Sequence, residues 1–244
     1  MSPDKRQHRG AHPSDARLFD ERHVAALRVA VSELSWLLSR AYTMRAALKL
    51  VGDRHALRER QRLAVSRAAC SDESLEKRKA NCLSVQNLKG EEIIVDGFNL
   101  IITIEAAMSE GVLILCRDGC IRDLASVHGS YRSVTETERA IRLIGEAFKE
   151  LEIKSATWLL DSPVSNSGRL ARKVREMSAE QGFDWNVETV FSPDAEIISS
   201  DKIAVTSDSL ILDRAGRWVN LHAYLIENYL PQSWLVDLRD ADGN

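Results

Sequence analysis

Three short apolar segments of this chain each run directly into an aspartate. IIVD ends at Asp96, WLLD at Asp161 and AVTSD at Asp208. The stretches between them have helical periodicity. Ala140, Ile144, Ala147 and Leu151 fall on one face of a helix over roughly 135–151, and a second helix is predicted from about Ser167 to Gln181. Apolar strands that alternate with helices specify an α/β fold with a mostly parallel sheet, because parallel neighbours need a crossover between them. In such a sheet the ligand crevice lies beyond the carboxyl ends of the strands. The three aspartates are therefore expected along one edge.

Other elements refine this frame. VLILC, then Arg117-Asp118-Gly119, then CIRDL reads as a β-hairpin inserted at 112–124. WNVETV reads as a further strand, followed by a polar acidic loop, SPDAEIISS. Upstream of the Lys89-Gly90 turn the chain reads as helices. Val24, Leu27, Val31, Leu34 and Leu38 step by three and four, and the pattern runs through Met44 and Leu48 to a C-cap near Gly52-Asp53. A helix over 54–69 would place Arg54, Arg58 and Arg62 in one basic stripe. The expected division is a helical domain over 1–88 and an α/β domain over 89–244.

Charge follows the same division. Residues 1–90 hold 18 Lys+Arg against 10 Asp+Glu, whereas the whole chain is close to balanced at −3. A basic front suits a polyanion, or ion pairs with the acidic back of the chain. The front has few aromatics (Phe19, Trp36 and Tyr42), which argues against a base-stacking platform there. No apolar run reaches the ~20 residues of a membrane span, and the polar first seventeen residues lack a signal-peptide core. Cys70, Cys82, Cys116 and Cys120 are expected as reduced thiols in a cytoplasmic protein. The three-residue gap between Cys116 and Cys120, without a nearby histidine, does not make a zinc set. There is no phosphate-binding glycine loop. Phe98 stands where a phosphatase of the Asp-x-Asp type needs its second acid. His128, in HGSYR, is a lone histidine beside Tyr131 and Arg132.

Each aspartate taken singly is explained by turn chemistry, since Asp-Gly and Asp-Ser-Pro both favour turns. Three in register call for more. Gathered carboxylates repel one another unless they share a cation, and a hard ion such as Mg²⁺ or Mn²⁺ prefers oxygen ligands. The segments VDGFNLI, LLDSP, PDAEII and AVTSDSLI, in that order over roughly 91–212, resemble the PIN-like nuclease superfamily and especially its NYN branch. Over nearly its whole length the chain, with LLSRAY and VGDRHALRERQRLAVSR in its helical front, also resembles a poorly characterised family catalogued as domain-of-unknown-function family 434.

The PIN/NYN resemblance implies a three-layer α/β domain that carries out metal-dependent hydrolysis of a phosphodiester, with RNA as the substrate class and DNA as a variant. It implies metal ligation by Asp96, Asp161 and Asp208, orientation by Asn99, and support by Thr206. Asp194 best matches the fourth acid, with Glu196 and Asp201 as rivals, and Glu136 or Glu138 is where other members place a helical acid. Ser167, Arg169 and Arg172, after Asp161, form a candidate phosphate-binding helix start, and Arg54, Arg58 and Arg62 a second nucleic-acid contact. The alternatives are a non-catalytic RNA-binding or scaffold protein on the same fold, and a partner-binding protein that uses the Leu/Val face of residues 24–38. A homodimer is compatible with either.

Overall fold

The computed structural model describes residues 8–125 and 129–239. His128 lies outside the described residues. The front comprises α1 (Asp15–Leu18), α2 (Glu21–Leu38), α3 (Met44–Arg54), α4 (Glu59–Ala68) and α5 (Asp72–Asn81). The long helical pattern is broken. After Leu38 the chain turns, with Ala41 in the left-handed region at φ 63°, and α3 restarts behind a Thr43 cap whose hydroxyl accepts from Ala46 N–H. Gly52 is not a C-cap. It lies inside α3, where a Cβ would come 2.1 Å from Nη1 of Arg62. The expected helix over 54–69 is also broken. Arg54 ends α3, Arg58 caps the start of α4 and Arg62 lies within α4, so the three do not form one stripe. Leu27, Val31 and Leu34 are fully buried, which makes the Leu/Val face of α2 core and not a docking surface.

The remainder alternates strands and helices. β1 (Cys82–Leu83), β2 (Glu92–Asp96), α6 (Gly97–Met108), β3 (Leu113–Leu115) and β4 (Ile121–Asp123) come first. Then follow α7 (Thr137–Glu150), β5 (Ser155–Asp161), α8 (Ser167–Gln181), β6 (Trp185–Val190) and α9 (Pro193–Ser199). The chain closes with β7 (Ile203–Val205), α10 (Ser209–Leu212), β8 (Trp218–Val219), α11 (Leu221–Tyr229) and β9 (Leu235–Asp237). Six strands form a parallel sheet in the order β1-β8-β7-β2-β5-β6.

Strand alternation divides the core between the two faces. Ile93, Val95, Trp158, Leu160, Ile203 and Val205 pack with residues of α6, α7, α8 and α11. Ile94, Leu159 and Ala204 point the other way and pack with Ile197 of α9 and Ile211 and Leu212 of α10. Helices thus cover both faces, as a buried parallel sheet requires. The segment expected as an acidic loop is helical as α9, because Pro193 occupies the first turn with Asp194 and Glu196 beside it.

β3 and β4 form the expected antiparallel hairpin, with Gly119 at φ +77° in its turn. A third strand, β9, pairs parallel to β3 and was not anticipated. This small sheet joins the two parts of the chain. Leu113 faces α6 and the main core, whereas Ile114, Cys116, Val236 and Leu238 share a second core with Leu27, Val31, Leu34, Val65 and Ala68. Among the described residues no helix is long and apolar enough to cross a membrane.

Candidate functional site

The carboxyl edge of the sheet holds an open pocket of about 380 Å³. Asp96, Asp161, Asp194 and Asp208 all line it. Asp96 ends β2 and caps α6, with its carboxylate accepting from Asn99 N–H at 3.3 Å and from the Thr206 hydroxyl at 2.9 Å. Asp161 ends β5. Asp194 reaches the pocket from the first turn of α9. Asp208 caps α10 and accepts from Leu210 N–H at 2.8 Å and Ile211 N–H at 3.3 Å. Gly97 explains the Asp-Gly pair. A Cβ there would lie 2.9 Å from the Leu159 carbonyl, so the glycine permits α6 to start hard against β5 and no reverse turn is involved.

Asn99 ties the two sides of the site together. Its Oδ1 accepts from Ser207 N–H at 2.8 Å and from the Ser207 hydroxyl at 3.0 Å. Thr206 accepts from Asp208 N–H at 3.0 Å while donating to Asp96. The Thr-Ser-Asp segment is thereby fixed against β2.

The electrostatics are those of uncompensated acids. Burial pushes the Asp96 carboxyl up to about 7, assisted by the charges of Asp208 and Asp194 and opposed by the Thr206 and Asn99 hydrogen bonds. Asp161 is raised by burial and by Asp194. Asp194 is raised by burial and by Asp208. Among the described residues no Arg or Lys closes an ion pair on any of the four, Arg132 and Arg169 included. In kind, this oxygen-only set suits a hard divalent ion. In spacing it does not form a finished cage: among the described residues no three His, Cys, Asp or Glu side chains are grouped closely enough to hold a metal.

Two arginines that the sequence did not single out line the same pocket. Arg122, on β4, donates to the Ser207 carbonyl at 2.7 Å and to Asp118 at 2.6 and 3.0 Å. Arg67, on α4, donates to the carbonyls of Asp123 and Ala125. Beneath them the Asp118 side chain is completely buried and also accepts from Arg78 at 2.5 Å. Their nearest sequence signal is Asp118 and Arg122 flanking the hairpin turn four residues apart.

The remaining candidates lie elsewhere. Glu196 and Asp201 are exposed and do not line the pocket. Glu136 is buried against His8 at 2.8 Å, and Glu138 pairs with Lys173 at 2.5 Å. Ser167 is buried and its hydroxyl donates to the Ser162 carbonyl at 3.4 Å, while Arg169 and Arg172 are exposed on α8 outside the pocket lining. Arg54 pairs with Glu33 at 3.3 Å, Arg62 pairs with Asp53 at 2.8 Å, and Arg58 is exposed. The four cysteines are free thiols.

Comparison with known proteins gives matches to two family models. One described as "Domain of unknown function (DUF5616)" matches residues 85–224. One described as "Protein of unknown function (DUF434)" matches residues 26–81, so that resemblance is confined to the helical front. An uncharacterized protein of Methanocaldococcus jannaschii is 32% identical over 187 residues, which cover 77% of this chain and 89% of that protein. No solved structure matches.

Proposed function

This chain belongs to the DUF5616 family, and we propose that it is a metal-dependent phosphodiesterase with a PIN/NYN-like α/β domain that cleaves RNA. The observation that carries the reading is four carboxylates lining one pocket at the carboxyl edge of a parallel sheet with no Arg or Lys among the described residues paired to them. A fold gains nothing in stability from acids raised as Asp96, Asp161 and Asp194 are, and such groups concentrate at functional sites.

Asp96, Asp161 and Asp208 would hold the ion, with Asp194 as the fourth acid, once the carboxylates draw closer together than they stand in this structure. A bound Mg²⁺ or Mn²⁺ supplies an activated water and charge neutralisation at the phosphate. Thr206 and Asn99 N–H hold the Asp96 carboxylate in orientation, and Asn99 holds Ser207 and hence the Asp208 cap. Arg67 and Arg122, on the wall formed by α4 and β4, offset the phosphate's charge from the other side of the pocket.

The test is cleavage of labelled single-stranded and structured RNA with Mg²⁺, Mn²⁺ or EDTA, comparing the parent chain with Asp208→Asn. Metal-dependent cleavage that disappears in the variant is expected. RNA binding that is tight, salt-sensitive and unchanged in Asp208→Asn, with no cleavage under any metal, would replace this reading with that of a non-catalytic binding protein.

A further inference from the structure

Phe191 and Leu210 are the two most exposed large hydrophobic side chains among the described residues, at 83% and 68%. Both belong to the carboxyl edge of the sheet. Leu210 lies on α10 and lines the aspartate pocket. Phe191 follows the last residue of β6, whose Val190 is in register with Asp161 on β5. Neighbouring strands lie ~4.8 Å apart, so the Phe191 backbone starts about one strand spacing from that of Asp161.

Its backbone is held rather than loose. The link from β6 to α9 is only Phe191 and Ser192, between the Val190 carbonyl, which accepts from Ser162 N–H at 2.7 Å, and Pro193, buried at the first turn of α9. Asp194 of the pocket follows three residues after Phe191. α9 packs on α10, which carries Leu210. Burying a phenylalanine side chain is worth ~1.5–3 kcal/mol, yet this ring stands in water on a short, anchored link beside a polar pocket.

We propose that Phe191, beside the pocket that Leu210 lines, is a stacking platform for an unpaired nucleobase whose backbone phosphate lies in the aspartate pocket. The choice of ligand rests on the phosphodiesterase reading above. An aromatic ring meets the π-face of any base and carries no sequence preference. Bases within a duplex have both faces occupied by their neighbours, so the platform selects a single strand or an unpaired loop. It also supplies what the basic front lacks, an aromatic surface for bases next to the site of chemistry.

The experiment is fluorescence anisotropy of the full-length chain in Ca²⁺ and again in EDTA, with a short labelled single-stranded RNA, the DNA of the same sequence, and the RNA duplex. The parent is compared with Phe191→Ala, Phe191→Trp and Leu210→Ala. Phe191→Ala is expected to weaken single-strand binding about 5- to 150-fold, the range for one stacked base, with the melting temperature unchanged. Phe191→Trp is expected to restore parental binding, and the duplex to bind equally to parent and alanine variant. RNA and DNA strands that lose equally in Phe191→Ala support recognition of the base face alone. Single-strand binding unchanged in Phe191→Ala overturns the platform even if the parent cleaves RNA with metal. Phe191-dependent binding by a chain that cleaves nothing keeps the platform and removes the hydrolytic reading. A parent chain that binds no single strand overturns the platform.

Discussion

Replacing Asp118 by asparagine tests the buried frame on which the aspartate pocket stands. The carboxylate is completely buried between Arg78 and Arg122, whose side chains are 3% and 8% exposed. Arg78 keeps a second partner in Asp213 at 2.7 Å. Arg122 would keep only neutral partners, the carbonyl oxygens of Ser207 and Arg67 and the Cys116 thiol among them. Removing one member of a buried pair leaves the other charge uncompensated, at a cost of ~3–5 kcal/mol. The charge environment of the Asp118 carboxyl gives a second figure. Burial pushes the Asp118 carboxyl up, but the charges and hydrogen bonds of Arg122 and Arg78 outweigh it and leave it at about 2. A group depressed in the folded state stabilises above its unfolded pKa, near 3.8, and loses that contribution as pH falls through about 2. That difference corresponds to ~2 kcal/mol, below the replacement cost because protonation keeps the side chain and its remaining hydrogen bonds. Urea unfolding followed by circular dichroism should show Asp118→Asn less stable by ~3–5 kcal/mol at pH 7, with the gap narrowing between pH 4 and pH 2. Adding Arg122→Met should recover much of the loss, since no unpaired charge then remains. A loss under ~1 kcal/mol at pH 7, the range of an exposed ion pair, would refute the reasoning.

Three further outcomes follow from the site. In EDTA, Asp96→Asn should stabilise the chain: with the folded carboxyl raised to about 7, the parent loses stability as pH climbs from about 4 to about 7, by at most ~4 kcal/mol, and equal unfolding curves at pH 8 would contradict this. Gly97→Ala forces a Cβ to 2.9 Å from the Leu159 carbonyl and should cost ~1–3 kcal/mol in thermal unfolding, and by displacing Asp96 should lower the proposed RNA cleavage. Asn99→Ala leaves Ser207 N–H without its acceptor and should cost ~1–3 kcal/mol, with faster hydrogen exchange at the Ser207 amide as the local readout.

The features legible in the sequence are those set by local pattern. β2, β5 and β7 are apolar on both faces because both are covered, which is why they stand out as short hydrophobic runs ending in acids. α8 runs from Ser167 to Gln181 as predicted, with Gly182 at φ +66° closing it in the left-handed conformation. The pattern misled where two helices shared one apolar phase. α2 and α3 keep hydrophobic spacing across residues 39–43, and nothing in that spacing announces the left-handed Ala41. β9 is three residues long and exists through its pairing with β3, so no local signal distinguishes it from the loop after Pro231. Arg67 and Arg122 reached the pocket through packing between segments far apart in the chain, and Phe191 reads locally as an ordinary strand-end aromatic. Its position becomes informative only when β6 is known to lie beside Asp161.

The helical front and the acid site are joined through the inserted hairpin. β3 turns Leu113 towards the main core and Ile114 towards α2 and α4, so three residues of hairpin belong to two hydrophobic clusters at once. β4 carries Arg122 into the pocket, and Arg122 is held from one side by the Arg67 carbonyl of α4 and from the other by Asp118, which Arg78 of α5 also grips. The arginine wall opposite the aspartates therefore exists only while α4 and α5 are docked. A front bound solely to recruit substrate would need no such contacts. Part of its basic charge is spent on ion pairs, through Arg60 on Asp15, Arg62 on Asp53, Arg67 on Asp123 and Arg78 on Asp118 and Asp213. Arg60–Asp15 and Arg62–Asp53 close within the front, whereas Arg67 on Asp123 and Arg78 on Asp118 and Asp213 reach carboxylates beyond residue 90, so part of the +8 of the first ninety residues meets acids of the α/β part on the cationic side of the pocket.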